Sequence, residues 1–147
     1  MEHIEIFIPG KIANVTHQSG TRYRSGGFTY KTKPLQLWEA YLSVSLKNHV
    51  PSEPLEGPIQ LEVDFRYKPP RKADLYSWRT KRPDTDNMIK TIKDVMTRLG
   101  FWGDDSQIAF EICKKLYVDE PGIRIIVNQL TEKAEEKEWK KSTQPKA

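Results

Sequence analysis

Residues 59 to 67 alternate without a break. Ile59, Leu61, Val63, Phe65 and Tyr67 are apolar, and Gln60, Glu62, Asp64 and Arg66 between them are polar. Successive side chains of an extended chain point to opposite faces, so this spacing predicts a strand with one face buried and one wet. Such a strand needs a sheet around it and a cover for its apolar side. Two helical patterns supply the cover. Leu35, Leu37, Trp38, Tyr41, Leu42, Val44, Ser45 and Leu46 give a broad apolar face at three- and four-residue spacing. That helix starts at Pro34, suited to a first turn, and should stop before Pro51. A second stripe (Met88, Ile89, Ile92, Val95, Met96 and Leu99) predicts a helix from about Asp86 to Leu99, with Gly100 placed to end it.

Three further strands are expected. His3 to Ile8 opens the chain and is ended by Pro9-Gly10. Residues 107 to 118 alternate, with Ile108, Phe110, Ile112, Leu116 and Val118 facing one way. After the turn at Glu120-Pro121-Gly122, Ile123 to Val127 reads as its antiparallel partner. The order β–α–β–α–β–β predicts an α+β domain, a mixed sheet with two main helices packed on it. Residues 11 to 33 form a long Gly-, Ser- and Arg-rich loop with a short hairpin around Phe28 and Tyr30. Residues 68 to 83 form a second loop, interrupted by Tyr76 and Trp78. At 147 residues the chain reads as one domain over 1–130. The Lys- and Glu-rich stretch 131–147 reads as a surface helix that frays into a tail.

The charge is distributed unevenly. The formal net charge is +4, yet Lys11 to Lys33 holds five basic residues and no acid, and Arg66 to Arg82 holds seven against Asp74 alone. Two local excesses of one sign suggest a surface for a polyanion, where the plain alternative is two solvated loops. The single cysteine, Cys113, excludes an internal disulfide and a cysteine-based zinc site, and reads as a buried small hydrophobe. His3, His17 and His49 lack ligand spacing and read as surface residues. No apolar run approaches the ~20 residues of a membrane span, so no membrane partner is expected and the chain reads as intracellular.

Within this basic chain sits an acidic cluster. Asp84 and Asp86 fall at the entrance of the second helix, Asp104 and Asp105 beyond its far end, and Lys90 between them. A helix N-cap explains one aspartate. A hard divalent cation explains several, because it takes oxygen ligands, lowers the pKa of a coordinated water and so serves phosphodiester hydrolysis. For that to hold, the strand starting near Asp105 must fold back along the helix towards Asp84. Lys90 shares a helix face with Asp86, either as an i,i+4 surface pair or as an ammonium beside the metal. Lys93 and Asp94 read as solvated. A calcium loop is excluded, since its fifth, sixth and twelfth positions would be Met88, Ile89 and Val95. No phosphate-cradling glycine loop and no Ser/His/Asp arrangement is present.

The residues Pro83-Asp84-x-Asp86-Asn87-x-x-Lys90, followed by Phe101-Trp102-x-Asp104-Asp105-x-Gln107, resemble the central motif of RusA-type Holliday-junction resolvases. Pro9-Gly10-Lys11 with the Arg/Tyr-rich loop after it, and Lys115-x-Tyr117, support the resemblance more loosely. It implies a homodimeric, Mg²⁺-dependent endonuclease, with Mn²⁺ as a substitute, that cuts four-way junction DNA symmetrically in recombination and repair. It also implies a cytoplasmic setting, with phage or prophage origin open. On matching positions Asp84, Asp86 and Asp105 would be the catalytic, metal-binding carboxylates, Lys90 the lysine beside them and Asp104 a motif neighbour. The N-terminal loop departs from the family's run of prolines and arginines near Asn14 to His17. The basic segments then become DNA surfaces: Lys11, Arg22 and Arg24 in the first, Arg71, Lys72, Arg79, Lys81 and Arg82 in the second, and Lys115 on the late strand. Tyr76 and Trp78 could stack on unpaired bases, or Trp78 could pack beneath its loop. Trp102 reads as core. Two alternatives stay open: a flap- or branch-cutting nuclease with the same chemistry, and a junction binder that does not cut. Carboxylates facing phosphate count against the binder.

Overall fold

The computed structural model describes residues 1–135 and 139–140. Among the described residues the main elements are β1 (His3–Pro9), β2 (Thr21–Arg24), β3 (Phe28–Lys31), α1 (Lys33–Leu46), β4 (Ile59–Tyr67), α2 (Thr85–Leu99), β5 (Ile108–Tyr117) and β6 (Gly122–Gln129). The main sheet has the order β1-β6-β4-β5, and β2 and β3 form a separate ribbon. The expected α+β domain with a mixed sheet and two helices is therefore present. The alternation of residues 59–67 is realised in β4, where Ile59, Leu61, Val63, Phe65 and Tyr67 are buried. Its outer face is not uniformly wet, because Asp64 is also buried beside Arg124 and Lys114.

The pairing of the last two strands differs from expectation. β5 lies parallel to β4, and β6 lies antiparallel to β4 and β1, with no ladder between β5 and β6. The reason is local. β4, α2 and β5 form a crossover unit, and the helix returns the chain to the end of the sheet where β4 began. The short link 118–121 then rounds the end of β4, with the Val118 N–H donating to the Tyr67 carbonyl at 2.9 Å. β6 is thereby delivered to the opposite side of β4.

The faces of β5 are also reversed from a simple reading of its apolar residues. Val63 is opposite Cys113 and Tyr67 opposite Tyr117 in register, so the core face carries Glu111, Cys113, Lys115 and Tyr117. Phe110, Ile112 and Leu116 take the other face, away from the buried cluster. Cys113 is half-buried against the core, and burial pushes its thiol up to about 12.

α1 buries a narrower stripe than its composition suggests: Leu35, Glu39, Leu42 and Leu46, while Leu37, Tyr41 and Val44 remain exposed. Glu39 takes an apolar position because Lys31 Nζ and Arg98 Nη2 reach its Oε2 at 2.8 and 3.2 Å, tying the ribbon and α2 to α1. α2 buries the expected stripe, with Leu99 only partly covered, and adds Thr91. Gly100 ends it at φ 93°, a conformation that costs glycine nothing. Trp102 is buried as expected, its indole N–H donating to Thr97 Oγ1 at 2.7 Å. Of the helix expected over 131–147, residues 131–135 are irregular and exposed and 139–140 are helical. The rest lies outside the described residues.

Candidate active site

The site is built on the first turns of α2. Asp84 occupies the N-cap position, yet its side chain caps nothing. Neither its carboxylate nor that of Asp86 receives a hydrogen bond or ion pair from a described residue. Two exposed carboxylates at a helix start, unused by the fold, are poorly explained as caps. Asp104 behaves in the opposite way. It caps the short 3₁₀ turn 105–107, its Oδ1 accepting the Ser106 N–H at 2.9 Å, while Gln107 Oε1 accepts from its own N–H at 3.1 Å. The bonds from Ser106 hold the Asp104 carboxyl below the usual carboxylate range.

Asp105, freed from capping, faces α2. Lys90 Nζ stands 3.9 Å from Asp105 Oδ2 and 3.0 Å from Asp94 Oδ1. The chain after α2 thus folds back as far as Lys90, in the second turn of that helix. The hydrogen bond to Asp94, more than the charge of Asp105, raises the Lys90 pKa, so the ammonium stays charged through neutral pH. Asp94 is not merely solvated. It also lies 3.8 Å from His17 Nε2, and the i,i+4 spacing from Lys90 was the available signal for its role.

The loop 14–19 packs across α2. His17 N–H donates to Thr91 Oγ1 at 3.0 Å, and Asn87 Nδ2 donates to Gln18 Oε1 at 2.7 Å. Depressions lie on either side of that Gln18–Asn87 bond. One, of about 520 Å³, is lined by Asn14, Thr16, Arg79, Arg82 and Asp84 among others. The other, of about 470 Å³, is lined by His17, Thr21, Tyr23, Asp86 and Lys90. Sequence patterning alone did not single out Gln18 or Asn14.

The basic residues divide into those that face outward and those already used. Lys11, Arg24, Lys72, Lys81 and Arg82 are exposed. Arg22 is exposed but donates to the Ser19 carbonyl, and Arg71 is held by Asp74 at 3.0 and 3.1 Å. Arg79 lies 3.7 Å above the Tyr67 ring and donates to the Arg82 carbonyl at 2.8 Å. Lys115 donates to the carbonyls of Lys81 and Pro83 at 2.7 and 2.8 Å, immediately before Asp84. Arg79 and Lys115 therefore hold the loop that delivers Asp84. The same loop pairs with β5, Tyr76 N–H to Tyr117 O and Arg79 N–H to Lys115 O. Trp78 is 69% exposed and Tyr76 is exposed too, so Trp78 does not pack beneath its loop.

Asp84 and Asp86 offer hard oxygen donors without hydrogen-bond or ion-pair partners among the described residues, a donor set that fits a Mg²⁺-type ion. Among the described residues, no three Asp, Glu, His or Cys side chains are already gathered into a cage for one. Asp105 is tied to the helix through Lys90. Carboxylate oxygens thus border both grooves, with Arg79 and Arg82 beside Asp84 in the first and Lys90 beside Asp86 in the second.

Comparison with known proteins fixes the class. The family model described as "Endodeoxyribonuclease RusA" matches residues 12–128, and the chain belongs to that family of endodeoxyribonucleases. It is 35% identical over 91 residues to "Crossover junction endodeoxyribonuclease rusA" of Lactococcus phage r1t, covering 60% of this chain and 70% of the relative. It is 26% identical over 106 residues to "Uncharacterized protein YqaN" of Bacillus subtilis (strain 168), covering 64% and 73%.

Proposed function

We propose that this endonuclease resolves four-way DNA junctions by paired symmetric nicks, as a homodimer using Mg²⁺, for which Mn²⁺ can substitute. The observation that carries the reading is the pair of unspent carboxylates, Asp84 and Asp86, opening onto grooves bordered by Arg82 and Lys90. The printed name of the phage relative supports a crossover junction as substrate, and its source supports a phage or prophage setting. Residues 1–130 would form the nuclease domain, with the Lys/Glu-rich remainder outside it.

Asp84, Asp86 and Asp105 would hold the metal. When bound, the ion supplies an acidified water and positive charge beside the scissile phosphate. Lys90, charged and held by Asp94, stabilises negative charge building on the phosphoryl oxygens and does not act as a base. Arg82, Lys81 and Lys72 hold phosphates on either side of the cut. Symmetric incision needs two identical sites about a two-fold axis, which a C₂ dimer provides.

The test is cleavage of an end-labelled synthetic four-way junction with Mg²⁺, beside matched duplex and flap substrates, with wild type and Asp105→Asn. Paired symmetric nicks on the junction alone, lost in the variant, are expected. Equal cutting of flaps would replace the substrate, and binding without cutting in both Mg²⁺ and Mn²⁺ would end the catalytic reading.

A further inference from the structure

The β2–β3 ribbon contributes almost nothing to the core, yet it carries three exposed aromatic residues, one of them beside Asp86 and Lys90. Tyr23 is 82% and Phe28 71% exposed, and Tyr30 is exposed as well. Solvent-facing rings in a group incur a solubility cost that a fold has no reason to keep. A two-stranded ribbon is also marginal by itself, and here its base is anchored to the loop before it and to α1. At the base, Gly20 N–H donates to Thr16 O and Thr32 N–H to Gly20 O, both at 2.8 Å. Thr21 Oγ1 donates to His17 O at 2.6 Å, and Lys31 pairs with Glu39. The tip turns through Gly26 and Gly27, both at positive φ.

Register sorts the ribbon into two faces. Arg22 is opposite Tyr30, and Arg24 opposite Phe28, so one face combines guanidiniums with rings. There Arg24 lies 4.5 Å above the Tyr30 ring. Tyr23 is opposite Thr29 on the other face, and it lines the same depression as Asp86 and Lys90. The whole segment from Lys11 to Lys33 contains no acid. Cationic and aromatic surface together fit nucleic acid whose bases are accessible, since any base offers a ring face to stack on and a phosphate to neutralise. A paired duplex hides its base faces. A branch point exposes them.

We infer that the β2–β3 ribbon is a stacking wedge for the bases at a DNA branch point, with Tyr23 and Phe28 as its contacts. Resting on the junction reading above, this makes the ribbon the element that tells a junction from a duplex, next to Asp86 and Lys90.

The experiment uses the full chain in EDTA, which prevents cutting. The probe is a four-way junction with 2-aminopurine at a branch-point nucleotide, beside a linear duplex with the same label. Wild type should change the label's fluorescence on the junction only. Tyr23→Ala with Phe28→Ala should remove that change and weaken junction binding roughly ten-fold or more, leaving duplex affinity within two-fold and the circular-dichroism melt unchanged. Tyr23→Phe with Phe28→Tyr should restore both. The proposal is overturned if the alanine variant keeps the signal and the affinity. Equal loss on junction and duplex would also overturn it, as would a shift in sedimentation from dimer to monomer, which would make the ribbon a contact between copies. If wild type shows no junction preference, the resolvase reading fails by itself. The ribbon is then judged on a 2-aminopurine single strand, where a signal lost in the alanine variant keeps the wedge and an unchanged signal ends it.

Discussion

Asp84 and Asp104 stand in the same local position, each the residue before a helical turn, and they do different work. Asp104 accepts the Ser106 N–H and completes a reciprocal box with Gln107. Asp84 precedes a helix of 15 residues and leaves its free N–H groups without a side-chain cap. The longer helix has more reason to be capped, and it is the one whose aspartate is withheld. A cap position thus says little about a role. What decides is whether the fold uses the oxygen: it uses that of Asp104 and leaves that of Asp84 for the metal-binding role proposed above.

The largest effect is expected at Asp84 itself. Asp84→Asn should lower junction cleavage at least about a hundred-fold while junction binding is kept or tightened, since repulsion of phosphate falls with the lost charge. A gel-shift titration beside the cleavage assay reads both, and binding lost together with cleavage would return Asp84 to a structural role. Next in size is Lys115→Met, which frees the carbonyls of Lys81 and Pro83. It should lower kcat about ten-fold, as loss of a supporting contact does, with junction affinity unchanged. A salt slope reduced by about one would show instead that Lys115 contacts a phosphate.

Asp104→Ala should act on stability. Its Tm at neutral pH should fall by a few degrees, the usual effect of a lost cap, with kcat nearly intact. Because the Asp104 pKa is depressed, its stabilisation is present above the ordinary aspartate range and is lost as pH falls through the folded value. Melts of wild type and variant should therefore converge in acid. The smallest effect is expected from Asp94→Asn. Lys90 owes its raised pKa first to Asp94, so the charged form is favoured up to the raised value and lost above it. Removing that support should move the alkaline limb of the kcat profile to lower pH, and an unmoved limb would separate Lys90 from the chemistry.

The elements that bury one regular face were legible in the sequence. β4 and α2 announce themselves by period, and the Asp/Lys spacing followed from placing them. Topology was less legible, because the link 118–121 looks like a hairpin turn whether β6 pairs with β5 or passes beyond β4. β5 misled for a related reason. As an edge strand it shows Phe110 and Leu116 outward and spends core-face positions on Glu111 and Lys115, which bind Lys93 and the 81–83 loop. In the sequence Lys115 reads as a DNA contact and Glu39 draws no reading, and only their distant partners give them roles. Long-range partners leave no periodic trace.

The pairing of β1 with β6 has a consequence in time. Residue 3 finds its ladder partner at residue 128, and β1 has no other neighbour in the sheet. On a ribosome, about 120 residues separate the end of β1 from the end of β6, on the order of ten seconds of synthesis. Until then the first strand emerges unpaired and the sheet lacks its inner antiparallel member. Folding of such a chain waits on its most distant contact, which slows it relative to helical domains of equal size. The order of manufacture thereby keeps the nascent nuclease from completing its sheet before nearly the whole domain has been made.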